Sequence, residues 1–128
     1  MRLALTVVIV RDYDEAIDWF TRVLGFRLVR DDDHNGGKRW VEISADGGGS
    51  LLLARAIKPA EIAAIGNQHG GRVAYFLHVD DFAATYAHLS ACGVTFDEAP
   101  RSEPYGKVVV FRDLYGNRWD LIEPRELA

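Results

Sequence analysis

The feature that most restricts how this 128-residue chain can fold is an internal repeat. Shifted by 69 positions, Val10-Arg11-Asp12-Tyr13 falls on Val79-Asp80-Asp81-Phe82, and after a one-residue deletion Gly25 falls on Gly93 at a shift of 68. Residues 3 to 10 (LALTVVIV) are apolar and β-branched, which predicts a strand buried on both faces. Asp12 then stands at a helix N-cap with Glu15 in the capping-box position, and Ala16, Ile17, Phe20, Val23 and Leu24 follow at helical spacing before Gly25. FRLVRD, KRWVEIS and SLLLARA read as three more strands, with DDDHNGG and ADGGG as the turns between them.

The second half runs in the same order. VAYFLHVD precedes a helix from Asp81 to about Cys92, and VTFDE, GKVVVFRD and RWDLIEP follow Gly93, the last after a YGN turn. A supersecondary unit that cannot bury its sheet alone gains by being doubled. The expectation is an α+β fold, a single domain over residues 1–128 made of two tandem βαβββ units that form an open, curled mixed-sheet cup. Unit 1 spans about 1–56 and unit 2 about 72–124, with a linker at 57–71 in which Pro59 opens a short helical turn and Gly70-Gly71 releases it.

Composition removes several function classes. With 15 Lys+Arg against 19 Asp+Glu the net charge is −4, which argues against a nucleic-acid partner. Cys92 is the only cysteine, so the chain has no internal disulfide, no CxxC pair and no thiolate zinc site, and it suits a reducing, cytoplasmic setting. Apolar runs such as Val7 to Val10 are far too short to span a membrane, and no signal peptide or anchor is expected.

The opening RLALTVVIVRDYDEAIDWFTRVLGF, the closing PYGKVVVFRDLYGNRWDLIEP and the doubled unit resemble the vicinal oxygen chelate superfamily, which includes glyoxalase I, extradiol dioxygenases and bleomycin resistance proteins. In such proteins one face of each sheet packs on its helix and the other lines a cup. A second chain commonly completes the cup, so the resemblance implies a homodimer. Metalloenzymes of the superfamily carry ligands on the first and last strand of each unit. Those positions fall here on Leu5 and Ala74 and on about Leu52 and Asp120, and the shifts of 69 and 68 carry one pair onto the other. Leu and Ala donate nothing to a cation, so no metal and no cofactor is expected. The resemblance then points to the antibiotic-binding branch, whose members sequester a compound without a metal.

With these four positions facing the cup, the strand period of two brings Val7, Ala54, Phe76, His78, Arg118 and Ile122 to the same side, and sends Val8, Leu51, Leu53, Tyr75, Leu77, Trp119 and Leu121 to the helix side. Trp40, Glu42, Val108, Val110 and Arg112 join the cup from the third strands. The expected ligand-binding set is Trp40, Glu42, Phe76, His78, Tyr105, Arg112, Arg118 and Asp120, around a neutral or weakly charged planar compound. Arg118 is the expected partner of Asp120, holding it ionised. Each residue also has a plainer use: Trp40 as core, the two arginines as rim ion pairs to Asp113, Asp120 or Glu123, and His78 bonded to the helix cap. DDD at 31 to 33 is read as part of a hairpin turn, not a calcium site. The competing function is a lyase, isomerase or dioxygenase of the same superfamily, acting with a metal through Asp120 or without one through His78 and Asp120. Another is a cup filled by its own side chains.

Overall fold

Alternation of side chains along each strand decides which face of a sheet is buried, and helix caps decide where the covering helix starts. The computed structural model shows both at work in residues 1–126; Leu127 and Ala128, the end of the expected domain, lie outside the described residues. The chain divides into two compact units, Met1–Ile65 and one beginning at Gly66, each of which carries a strand, a helix and three further strands.

Unit 1 contains β1 (Thr6–Val10), α1 (Tyr13–Arg22), β2 (Arg27–Asp33), β3 (Arg39–Ser44), β4 (Ser50–Arg55) and a short α2 (Pro59–Ala64). Its open sheet has the order β1-β4-β3-β2, with β1 parallel to β4 and the other pairs antiparallel. Val8, Val10, Val41, Ile43, Leu51 and Leu53 are buried on one face, and Ala16 and Phe20 of α1 are buried with them. Each large apolar side chain removed from water this way contributes about 1.5–3 kcal/mol. The Asp12 carboxylate accepts the Glu15 N–H at 2.8 Å and so starts α1, and Gly25 leaves it at φ +71°, a conformation a side chain disfavours.

Unit 2 contains β5 (Val73–His78), α3 (Phe82–Ala91), β6 (Arg101–Glu103), β7 (Gly106–Arg112) and β8 (Arg118–Pro124), in an open sheet of order β5-β8-β7-β6. Here β5 is parallel to β8, and β7 is antiparallel to both its neighbours. Val109, Phe111, Trp119 and Leu121 are buried with Phe82 and Leu89 of α3. Asp81 caps α3 by accepting the Ala84 N–H at 3.0 Å, and Gly93 closes it at φ +79°. The Asp113 carboxylate organises the turn before β8. Its Oδ1 accepts the backbone N–H groups of Tyr115, Gly116 and Asn117, and its Oδ2 accepts Asn117 Nδ2 and the buried Trp119 Nε1, both at 3.0 Å.

Three expectations need correction. The first strand begins at Thr6, not at residue 3, its pairing with β4 starting at Thr6 opposite Leu51, and Val7 on the face away from α1 is 41% exposed, so one face alone is buried. The acidic run 31–33 belongs to β2, not to the turn. Arg39 reaches back across the hairpin to Asp31 at 2.7 Å and Arg30 pairs with Asp32, so these two acids are neutralised on the strand, Asp33 accepts the Asn35 N–H, and the turn shrinks to His34–Lys38. VTFDE is not a regular strand: Phe96 makes a single bridge to Phe111, and pairing resumes only at Arg101 opposite Val108. The Glu98 side chain takes the Val110 N–H at 3.0 Å in place of a backbone carbonyl, and Pro100 has no N–H to offer, so the segment bulges.

Candidate functional site

The face of the unit 1 sheet away from α1 holds Val7 and Ile9 from β1, Leu52 and Ala54 from β4, and Trp40 and Glu42 from β3. Val7 lies opposite Leu52, and Leu52 opposite Glu42, so the three share one row. A cavity of about 720 Å³ opens where this sheet ends: Val7, Ile9, Trp40, Leu52 and Ala54 line it from this face, Leu53, Arg39 and Arg55 together with Tyr13 of α1 line it from the α1 side, and Lys38 and Lys58 stand among its polar members. That volume suits a drug-sized organic molecule. Trp40 is half-buried; its Nε1–H points at Glu42 Oε1 at 3.4 Å, and the Arg30 guanidinium carbon sits 6.0 Å from its ring centre. Glu42 is half-buried beside the cavity and is not part of its lining.

On the corresponding face of unit 2, Phe76, Asp120 and Val110 stand in one row, and His78, Ile122 and Val108 in the next. Phe76 is 63% exposed, whereas Asp120 is 9% exposed and its Oδ1 is buried with no hydrogen-bond partner. Burial raises the Asp120 carboxyl above the ordinary carboxylate value; the Arg101 charge opposes this and Glu98 reinforces it. Arg118 is therefore not the partner of Asp120. Asp97, thrown out by the bulge after Phe96, accepts Arg112 Nε at 2.7 Å and Arg118 Nε at 2.8 Å, and Arg118 also donates to the Gly71 carbonyl. The two guanidinium groups hold the Asp97 carboxyl below its usual range.

Of the other expected residues, His78 is exposed, and Tyr105 is 43% exposed with its hydroxyl at 3.4 Å from Arg101 Nη1. Arg101 itself grips Glu98 at 2.9 Å and Glu103 at 2.8 Å. Arg112 and Arg118 line a separate cavity of about 210 Å³ with Arg72, Ala74 and Asn117. The residues that sequence reasoning missed are Asp97, Glu98 and Arg101 around the open face of unit 2, and Tyr13, Arg39 and Arg55 at the unit 1 cavity. The one signal available was Asp97-Glu98 standing before Pro100, a pair of acids where a strand was about to break.

The positions that carry donors in metalloenzymes of the resembled type do not fit a cation here. Leu5 is half-buried ahead of β1, Leu52 lines the unit 1 cavity, Ala74 is half-buried in β5, and Asp120 alone offers oxygen. Among the described residues no three His, Cys, Asp or Glu side chains gather as a ligand set. Nor is any helix among them long and apolar enough to cross a membrane.

Tandem βαβββ units with open mixed sheets and a cavity on the face opposite the helix define a class of fold before they define a chemistry. The sequence matches the Glyoxalase/Bleomycin resistance protein/Dioxygenase superfamily over residues 2–121, and the chain belongs to that family. It is 49% identical over 119 residues to an uncharacterised protein of Shewanella frigidimarina, covering 91% of this chain and 88% of that one. Among solved structures it is similar to UcmS2, with a TM-score of 0.79 and 29% identity over 96% of this chain and 98% of the other. It is also similar to TnmS3, an antibiotic binding protein from Streptomyces sp. CB03234, with a TM-score of 0.77 and 29% identity over 98% of this chain and 97% of that one.

Proposed function

We propose that this chain is a metal-independent small-molecule binding protein that sequesters an aromatic metabolite or antibiotic. The observation that carries the reading is Leu52. At a position where the superfamily's metalloenzymes hold a donor, it contributes an isobutyl group to the lining of a 720 Å³ cavity, which favours burial of apolar surface over chelation. TnmS3, an antibiotic binding protein, shares the fold at 29% identity and supports the same reading. Trp40 is the stacking wall of this site. Phe76, Asp120, His78 and Tyr105 form a second contact surface on unit 2. The working form is a homodimer in the cytoplasm, checked by light scattering that returns twice 14.3 kDa.

Tryptophan fluorescence titrated with a panel of aromatic antibiotics tests the reading, with Trp40→Phe to separate Trp40 from Trp19 and Trp119. Saturable quenching that disappears in Trp40→Phe is the expected result. If binding of every quencher survives both Trp40→Phe and Phe76→Ala unchanged, the site assignment is wrong. Stoichiometric metal in protein purified without chelator, lost in Asp120→Ala, would replace this reading with an enzyme. A catalytic second reading rests on Asp120, whose Oδ1 has no hydrogen-bond partner and whose carboxyl is raised by burial above the ordinary carboxylate value, as suits a general base. Turnover of a bound compound that Asp120→Asn abolishes without weakening its binding would favour it.

A further inference from the structure

The cavity of unit 1 has a charge pattern that its apolar floor does not explain. In a chain of net charge −4, its lining collects Lys38, Arg39, Arg55 and Lys58 against a single acid, Glu61. Arg39 is already neutralised, paired with Asp14 at 3.0 Å and Asp31 at 2.7 Å. Glu61 is also occupied. Its Oε1 accepts the N–H groups of Ile57 and Lys58, and these bonds, with a smaller contribution from the Lys58 charge, hold its carboxyl below the usual carboxylate range. Arg55 and Lys38 meet no acid among the described residues, and Lys58 makes no ion pair.

Arg55 is held for use. Its guanidinium carbon lies 5.6 Å from the centre of the Tyr13 ring, which is fixed in turn by the Arg39 N–H donating to its hydroxyl at 3.2 Å. Gly37 leaves the room: a Cβ there would come 3.1 Å from Arg55 Nη2. A guanidinium resting on an aromatic ring keeps its N–H edge free for an acceptor, and its planar fork suits carboxylate and phosphate oxygens.

We infer that the unit 1 cavity takes a compound with a flat apolar body and an anionic oxygen group, the body lying on Val7, Leu52 and Ala54 beside Trp40 and the anion reaching round the strand end to Arg55 on the α1 side, with Lys38 and Lys58 beside it. This rests on the reading of that cavity as the ligand site, and it narrows the expected neutral or weakly charged ligand to an anionic one.

Titration calorimetry with naphthalene-carboxylate and its neutral isostere naphthalene-carboxamide separates the two ideas. The carboxylate binds about tenfold more tightly, and the advantage shrinks at high salt. Arg55→Gln removes the advantage, while the pair Lys38→Gln and Lys58→Gln, both exposed, reduces it. Trp40→Ala weakens both probes alike. Equal affinity for the two probes, or a preference that survives both sets of variants, overturns the anion assignment while binding lost in Trp40→Ala keeps the site. No binding of either probe, or binding indifferent to Trp40→Ala, overturns both.

Discussion

The turn into β4 runs from Ala45 to Gly49 and the turn into β8 from Asp113 to Asn117, and equivalent backbone bonds close both. Ala45 N–H meets the Gly49 carbonyl at 3.1 Å and Asp113 N–H the Asn117 carbonyl at 2.9 Å; Gly48 and Gly116 return to Ala45 and Asp113 at 3.1 Å each. The side chains differ completely. Unit 1 builds the turn with three glycines and Asp46, whose carboxylate accepts none of the turn N–H groups, so the backbone does not require Asp113. The requirement comes two residues beyond the turn: unit 2 buries Trp119, whose indole N–H needs an acceptor, where unit 1 has Leu51, which needs none. The same divergence recurs one position on, where Leu52 lines a cavity and Asp120 is left with an orphaned oxygen. Duplication has kept the backbone and let each copy choose its own polar chemistry.

The largest effect should come from breaking that pairing. Asp113→Ala strands the Trp119 and Asn117 side-chain donors together with the turn N–H groups, and should cost about 3–4 kcal/mol in urea unfolding. A double-mutant cycle with Trp119→Leu should show coupling above about 1 kcal/mol, whereas Ala45→Asp in unit 1 gains nothing comparable. Next come Gly25→Ala and Gly93→Ala, where a Cβ meets no neighbour at either site and only the backbone conformation objects. Each should cost about 1–2 kcal/mol, and a marked inequality between them would mean that the copies do not close their helices alike. Asp12→Ala and Asp81→Ala should each cost about 1 kcal/mol through the lost N-cap, again in equal measure, by thermal unfolding.

The smallest effect is one of pH. Burial raises the Asp120 carboxyl in the folded chain, so its ionisation opposes folding. Stability from this group is fully present below the unfolded carboxylate pKa near ~4 and is lost as pH rises through the folded value. Asp120→Asn should accordingly gain stability relative to the parent between about pH 4 and pH 7, while Leu52→Asn in unit 1 shows no such dependence. A difference for Asp120→Asn that stays flat across this range would mean that the carboxyl is solvated after all.

Features carried by local signals were legible in the sequence. Asp12 and Asp81 cap their helices, Gly25 and Gly93 end them, and the period of two separates buried Val8, Leu53, Trp119 and Leu121 from exposed Val7 and Phe76. What was illegible depends on partners distant in sequence. Asp97 bridges Arg112 and Arg118 across gaps of 15 and 21 residues, so neither guanidinium is left for Asp120. Arg39 draws Asp31 onto a strand where three acids in a row signal a turn, and Glu98 replaces a backbone acceptor where the residue types of VTFDE favour regular pairing. Arg55 gave no sign of its placement, because the Tyr13 ring beneath it lies in the preceding helix.

The alternation along β1 and β4 also separates two tasks that many binding proteins entangle. Val8, Val10, Leu51 and Leu53 are the buried packing set, Leu53 also reaching the cavity wall, while Val7, Ile9, Leu52 and Ala54 are less buried and floor the cavity. A combinatorial library confined to the second four can exchange one recognised compound for another in variants that melt within a few degrees of the parent, because randomisation never reaches the side chains on which the sheet depends.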